Sequence, residues 1–193
     1  MGNDRQMTEE LKIAANLFDG ERYEDALKKY RILAESGNIT AQLRLGWMYH
    51  AGQGVERNLT EAQKWYEKAA STESAQAQFY LGALYRAKGE YQQAFELLKR
   101  SASQEYSPAM YFLGQLYCVG EGVELDRAKA FQYFEQAADK GHLFAQRNIA
   151  REMIKGRHGI MRIPMGFLLL VRVLCKGIKV TVRDPDSDTI RRV

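Results

Sequence analysis

Three histidines, two cysteines and two Gly-x-Gly strings are the residues of this sequence whose types could support chemistry. A metal centre needs His, Cys, Asp or Glu side chains at spacings that bring several of them to one point. His50, His142 and His158 stand far apart, and none has a Cys or Glu at such a spacing. A phosphate-cradling loop needs its glycines between a strand and a helix N-terminus. Gly52-Gln53-Gly54 and Gly120-Glu121-Gly122 follow helical patterns, so they read as helix stops, and no nucleotide site is expected. Lys155-Gly156-Arg157-His158-Gly159 offers cations to a phosphate, and Asp184-Pro185-Asp186-Ser187-Asp188 offers carboxylates to calcium. A solvated basic turn and a flexible acidic turn are the simpler readings of these two. No nucleophile–base or acid–base constellation stands out, so neither an enzyme nor a cofactor is expected.

The bulk numbers fit a soluble helical chain. Of 193 residues, 46% are hydrophobic and 27% charged, which suits a folded domain with a continuous core. Only three prolines interrupt a background rich in Ala, Leu, Gln, Glu and Lys, which favours helix. The net charge of +4 conceals an asymmetry. Residues 1–140 hold 17 Lys and Arg against 20 Asp and Glu, whereas residues 141–193 hold 11 against 4. A basic C-terminal block points to an anionic partner there, or else to a solvated basic tail. No aromatic–basic interleaving of a nucleic-acid motif accompanies it, so nucleic acid is not the expected partner. Met1-Gly2-Asn3-Asp4-Arg5 has no apolar core of a secretory leader, and Gln6 stands where a myristoylation motif wants Ser or Thr. Cys118 and Cys175 lie in helical, apolar contexts and read as reduced thiols, so a cytoplasmic location is expected.

The elements that position these residues come from a repeat. Ala34, Ala70, Ala102 and Ala138 each precede another alanine (Ala41, Ala77, Ala109, Ala145) by seven residues. In phase with them, Leu45-Gly46-Trp47-Met48-Tyr49 returns as Leu81-Gly82-Ala83-Leu84-Tyr85 and as Leu113-Gly114-Gln115-Leu116-Tyr117. Self-similarity at 32–36 residues is the signature of stacked helical hairpins, which bury their apolar faces only against neighbours. Each first helix carries an apolar stripe such as Ala41, Leu45, Met48 and Tyr49, and each second helix one such as Ala62, Trp65, Tyr66 and Ala69. Glycine inside a helix costs about 1 kcal/mol against alanine, so Gly46, Gly82 and Gly114 imply close approach of a neighbouring helix. Thr60 is the expected cap of the second helix in the 38–74 unit.

The Leu-Gly-x-x-Tyr string, the Gly-x-Gly-Val loop, the aromatic at Trp65 and the paired alanines ending the second helices resemble the Sel1-like repeat, a branch of the tetratricopeptide-like superfamily. Residues 38–74 and 107–141 match it strongly; residues 75–106 and the opening stretch around Asn16–Ala26 look more like plain tetratricopeptide repeats. The resemblance covers about three-quarters of the chain. It implies an all-α, right-handed superhelix of about five hairpins that serves as an adaptor or scaffold for protein complexes. The expected organisation is an N-terminal hairpin over residues 1–37, three repeats over 38–141, a degenerate basic repeat over 142–177 and a tail over 178–193.

In such arrays the first helices line the groove. The equivalent slots here are Leu43, Trp47 and His50; Phe79, Ala83 and Arg86; Tyr111, Gln115 and Cys118; and Arg147, Arg151 and Ile154. Leu43, Phe79 and Tyr111 would form an apolar row flanked by Trp47 and Arg86, with Arg147 and Arg151 closing one end. Exposed aromatics beside arginine are common interface anchors, and a segment with apolar anchors and an acidic end would fit. The opposing reading is that these aromatics pack against the next repeat.

The last helix departs from the pattern. Its slots Leu168 and Val171 correspond to Lys64 and Glu67, Glu96 and Lys99, and Gln132 and Glu135 in earlier units. Within Phe167-Leu168-Leu169-Leu170-Val171-Arg172-Val173-Leu174-Cys175 the helix is apolar on all sides, and such a helix is normally covered. Three coverings fit the sequence. The tail Ile178-Lys179-Val180-Thr181-Val182-Arg183, alternating like a strand, folds back over it; a partner subunit covers it; or the patch, ringed by Arg157, Arg162, Arg172, Lys176 and Lys179, rests on an anionic membrane surface. The function expected from the whole is a non-enzymatic adaptor that binds a partner protein through the groove and the last repeat, with membrane-surface recruitment as the alternative.

Overall fold

The computed structural model describes residues 2–155 and 163–183, with side chains described for residues 5–155 and 164–174. Ten helices and no strand occur among the described residues. They are α1 (Gly2–Asp19), α2 (Tyr23–Glu35), α3 (Ile39–Ala51), α4 (Leu59–Ala70), α5 (Ala75–Ala87), α6 (Tyr91–Ser103), α7 (Ser107–Val119), α8 (Arg127–Asp139), α9 (Leu143–Ile154) and α10 (Ile163–Arg183). The architecture is an all-α repeat superhelix. The chain divides into two compact units, Met1–Leu84 and Tyr85–Val193.

In the first unit α1 packs on α2, α2 on α3, and α3 on α4. In the second unit α6 packs on α7, α7 on α8, α8 on α9, and α9 on α10. The recurring alanines make this spacing workable: Ala41, Ala77, Ala109 and Ala145 are all fully buried. Leu45, Met48, Leu84, Leu113 and Leu116 fill the core beside them.

The helical glycines are explained by direct contact. A Cβ at Gly46 would lie 2.6 Å from the Tyr66 ring on α4, and one at Gly114 would lie 2.5 Å from the Phe134 ring on α8. Each glycine therefore seats the bulky aromatic of its own hairpin's second helix. Gly52 and Gly120 end α3 and α7 in the left-handed region, and their N–H groups bond the Met48 and Leu116 carbonyls. The second glycine of each loop serves close approach: a Cβ at Gly54 would sit 2.6 Å from the Tyr23 backbone, and one at Gly122 would collide with the Tyr91 carbonyl.

Two local expectations are corrected. Asn58, not Thr60, caps α4: its side-chain oxygen accepts from the Thr60 and Glu61 N–H groups at 3.1 and 3.0 Å. Asp126 does the same for α8 through the Lys129 N–H. Residues 178–183 are helix, not strand, because α10 continues past Gly177 to Arg183. Propagating an existing helix needs no new nucleus, and β-branched residues lower helix propensity only slightly. The division between a repeat ending at 177 and a separate tail therefore falls within one helix.

Candidate functional site

The groove slots of the first unit lie mostly inside. Leu43 and Phe79 are only 6% and 7% exposed, so they are core residues and not members of an exposed row. Phe79 meets Tyr80 edge to face at 5.4 Å. Trp47 is half-buried, with its ring edge to face with Phe18 on α1 at 5.6 Å, which fastens α1 to α3. His50 is also half-buried; loss of solvent and the nearby Arg57 charge hold its pKa below the usual histidine value. Arg57 donates through Nε to the His50 carbonyl at 3.1 Å.

Four slots of the second unit converge on a shared groove. Arg86 at the end of α5, Gln115 and Cys118 on α7, and Arg151 on α9 all line a groove of about 880 Å³. Arg86 is already engaged. Its Nε lies 2.7 Å from Glu121 Oε2, its Nη1 donates to Gln115 Oε1 at 2.7 Å, and its guanidinium lies 5.6 Å from the Phe112 ring centre. The groove wall thus holds a fixed cation–carboxylate–amide cluster in place of a free arginine.

Arg127 at the start of α8 and Arg151 are exposed, line the groove, and have no ion-pair partner among the described residues. The same groove is lined by Phe131, half-buried on α8, and by the exposed Val119 and Cys118. Glu135, Glu152 and Lys155 complete the polar margin, with Lys155 held to Glu152 at 3.1 Å. A surface of this kind can accept an apolar side chain and a carboxylate together.

Tyr111 and Arg147 do not line this groove. Tyr111 is half-buried and stacks on His142 at 4.6 Å, with Phe134 5.6 Å away. His142 caps α9, its Nδ1 accepting from the Ala145 N–H at 3.3 Å. Burial pushes its pKa down to about 4, so the imidazole is neutral at pH 7. Arg147 is exposed, with its guanidinium 5.3 Å from the Phe144 ring centre.

Sequence reasoning named Arg86, Gln115, Cys118 and Arg151 as groove residues and missed Arg127, Phe131 and Lys155, as well as Glu121, which pairs with Arg86. It had assigned the groove to first helices alone. Ala128, Phe131, Gln132 and Glu135 recur at helical steps on α8 beside its core stripe of Ala130, Phe134 and Ala137. An aromatic at Phe131, next to that core stripe, was the available signal.

The second candidate surface lies on α10. Gly166 and Val173 are buried against α9, where a Cβ on Gly166 would meet the Ala150 carbonyl at 2.9 Å. Leu168 and Val171 are 72% and 56% exposed, as their register implied, and Phe167 and Arg172 are exposed with them. Lys176 falls on α10 beyond the described side chains. Residues 156–159, with His158, and residues 184–188 lie outside the described residues. Among the described residues no His, Cys, Asp and Glu side chains are grouped to hold a metal ion, and no helix is long and apolar enough to cross a membrane.

Residues 39–71, 75–106 and 107–142, more than half of the chain, each match the Sel1 repeat. The chain is 31% identical over 134 residues to the uncharacterized protein NMB1327 of Neisseria meningitidis serogroup B, covering 68% of this chain and 28% of that relative. It is 39% identical over 67 residues to the ERAD-associated E3 ubiquitin-protein ligase component HRD3A of Arabidopsis thaliana, covering 35% of this chain and 10% of that one. It spans less than a third of the length of the curated relatives it matches. Among solved structures, a Sel1 repeat protein from Oxalobacter formigenes superposes with a TM-score of 0.74 at 25% identity, covering 96% of this chain and 84% of that one.

Proposed function

The chain belongs to the Sel1 repeat family, and on that premise we propose that it is a non-catalytic adaptor that holds a segment of a partner protein in the groove of its second unit. Sel1 repeat proteins generally mediate protein–protein interactions, and the fold is a typical non-catalytic scaffold. HRD3A, similar over 67 residues, is named as a component of a ligase, which supports a role in an assembly. The observation that carries the reading is the pair of exposed arginines, Arg127 and Arg151, which have no ion-pair partner among the described residues and line the same groove as Phe131 and Val119. The partner segment it fits has an aliphatic or aromatic anchor and a carboxylate close by. Buried apolar contact supplies affinity, and the arginines supply orientation through bidentate bonds to that carboxylate.

Selection from a random displayed peptide library tests this. Peptides retained by the folded chain are expected to be rich in Asp or Glu next to Leu, Ile, Phe or Trp. A pool without that enrichment, or one enriched in basic peptides, overturns the proposal.

A further inference from the structure

The outward face of α10 has a chemistry unlike that of the other described helices. Met165, Phe167, Leu168, Val171 and Leu174 are each more than half exposed, while Gly166 and Val173 turn inward to α9. In α8, one repeat earlier, the positions equivalent to Leu168 and Val171 hold the exposed polar residues Gln132 and Glu135. The apolar face therefore belongs to α10 and is not a property of the repeat. No Asp or Glu occurs in its 21 residues. Arg172 is exposed at its middle, and Lys176, Lys179 and Arg183 follow at steps of four, three and four, which is one stripe in helical register.

We propose that α10 is an interfacial helix that lies flat on an anionic lipid surface, its apolar face among the acyl chains and its basic stripe among the headgroups. Two neighbouring rows of one helix need two different surroundings along the same length. An anionic bilayer surface supplies both as parallel layers, hydrocarbon below and negative charge immediately above. A second copy packed α10 against α10 supplies only the first, since it brings another helix without a carboxylate and sets cation against cation. The helix lies on the surface and does not span it, because α10 is not apolar enough to cross a membrane. This inference is independent of the groove, which faces different residues on α7, α8 and α9.

The test uses the full chain and sedimentation with vesicles of phosphatidylcholine alone or with 30% phosphatidylglycerol. Binding is expected to the anionic vesicles, to weaken at least tenfold on raising salt from 0.1 to 0.5 M as the charges are screened, and to be slight on phosphatidylcholine. Leu168→Glu with Val171→Glu is expected to abolish it with helical content unchanged, because both side chains are exposed. Arg172→Glu is expected to weaken it by more than the roughly fivefold that removal of one cation implies. A Leu168→Trp variant is expected to shift its emission to the blue and to be quenched by brominated acyl chains. The proposal falls if the wild-type chain ignores anionic vesicles. It falls equally if binding survives Leu168→Glu with Val171→Glu, or if sedimentation equilibrium without lipid gives a dimer that this double variant dissociates. In the last case the occupant is a second copy.

Discussion

Gly114→Ala sets two known effects against each other, and the geometry decides between them. In an ordinary helix interior the substitution stabilises by about 0.5–1 kcal/mol, because alanine loses less backbone entropy. Here the added Cβ would lie 2.5 Å and 2.7 Å from two Phe134 ring carbons and 3.0 Å from the Ala130 carbonyl oxygen. The ring is rigid and buried, and the carbonyl belongs to α8's backbone, so α7 and α8 must separate or Phe134 must leave its place. Overpacking of this kind costs about 1–3 kcal/mol. The expected net result is a loss of about 1–2 kcal/mol, or a fall of about 3–6 °C in Tm for a chain of this size. The assay is urea denaturation followed by circular dichroism, on Gly114→Ala, Phe134→Leu and the double variant. Once Phe134 is shortened, the alanine's propensity gain should reappear, giving a coupling of at least about 1 kcal/mol. A stabilised Gly114→Ala, or additive effects in the double variant, would refute the close-approach explanation of the repeated glycine.

Three further outcomes follow from the same contacts. Asn58→Ala is expected to destabilise by about 1 kcal/mol through loss of the α4 cap, whereas Thr60→Ala should change little; urea midpoints separate them. Arg86→Ala is expected to cost about 1–2 kcal/mol, because it releases the Glu121 carboxylate and the Gln115 amide together, and a cycle with Glu121→Gln should show positive coupling. Stability is expected to fall as pH drops from about 6.5 towards 4. His142, with its pKa near 4 in the folded chain, stays neutral over most of that range, and burial together with the Arg57 charge makes His50 harder to protonate than in the unfolded chain, which takes up protons. His142→Asn, which keeps an N-cap acceptor, should flatten that slope; an unchanged slope would count against burial as its cause.

The fold was largely legible because a repeat states its own register. The alanines at seven-residue spacing and the interior glycines could be read directly, and Tyr66 and Phe134 supply the reason for two of those glycines. Facing was less legible. A 32–36-residue period places Leu43 and Phe79 in equivalent slots, yet it does not say whether a slot looks into the groove or into the neighbouring helix, and both residues proved buried. Arg86 lines the groove of the second unit, but its engagement by Glu121 depends on how the loop after α7 folds back, which spacing does not reveal. The cap of α4 moved by two residues because Asn58 and Thr60 are both good caps and the backbone selects between them. Residues 178–183 alternate like a strand but also place Ile178 and Val182 four apart, and continuity with α10 decided for helix.

The adaptor reading rests on the groove bounded by α7, α8 and α9, and calorimetry with a library-selected acidic–apolar peptide tests it most directly. Affinity would be measured for the wild-type chain, for Arg127→Glu with Arg151→Glu, and for the charge-matched control Lys99→Glu with Arg147→Glu, whose residues do not line the groove. The groove reversal is expected to weaken binding at least thirtyfold and the control less than fivefold. Equal losses in the two variants would reduce the interaction to the overall field of the basic half, and no loss in either would remove the groove as the docking site.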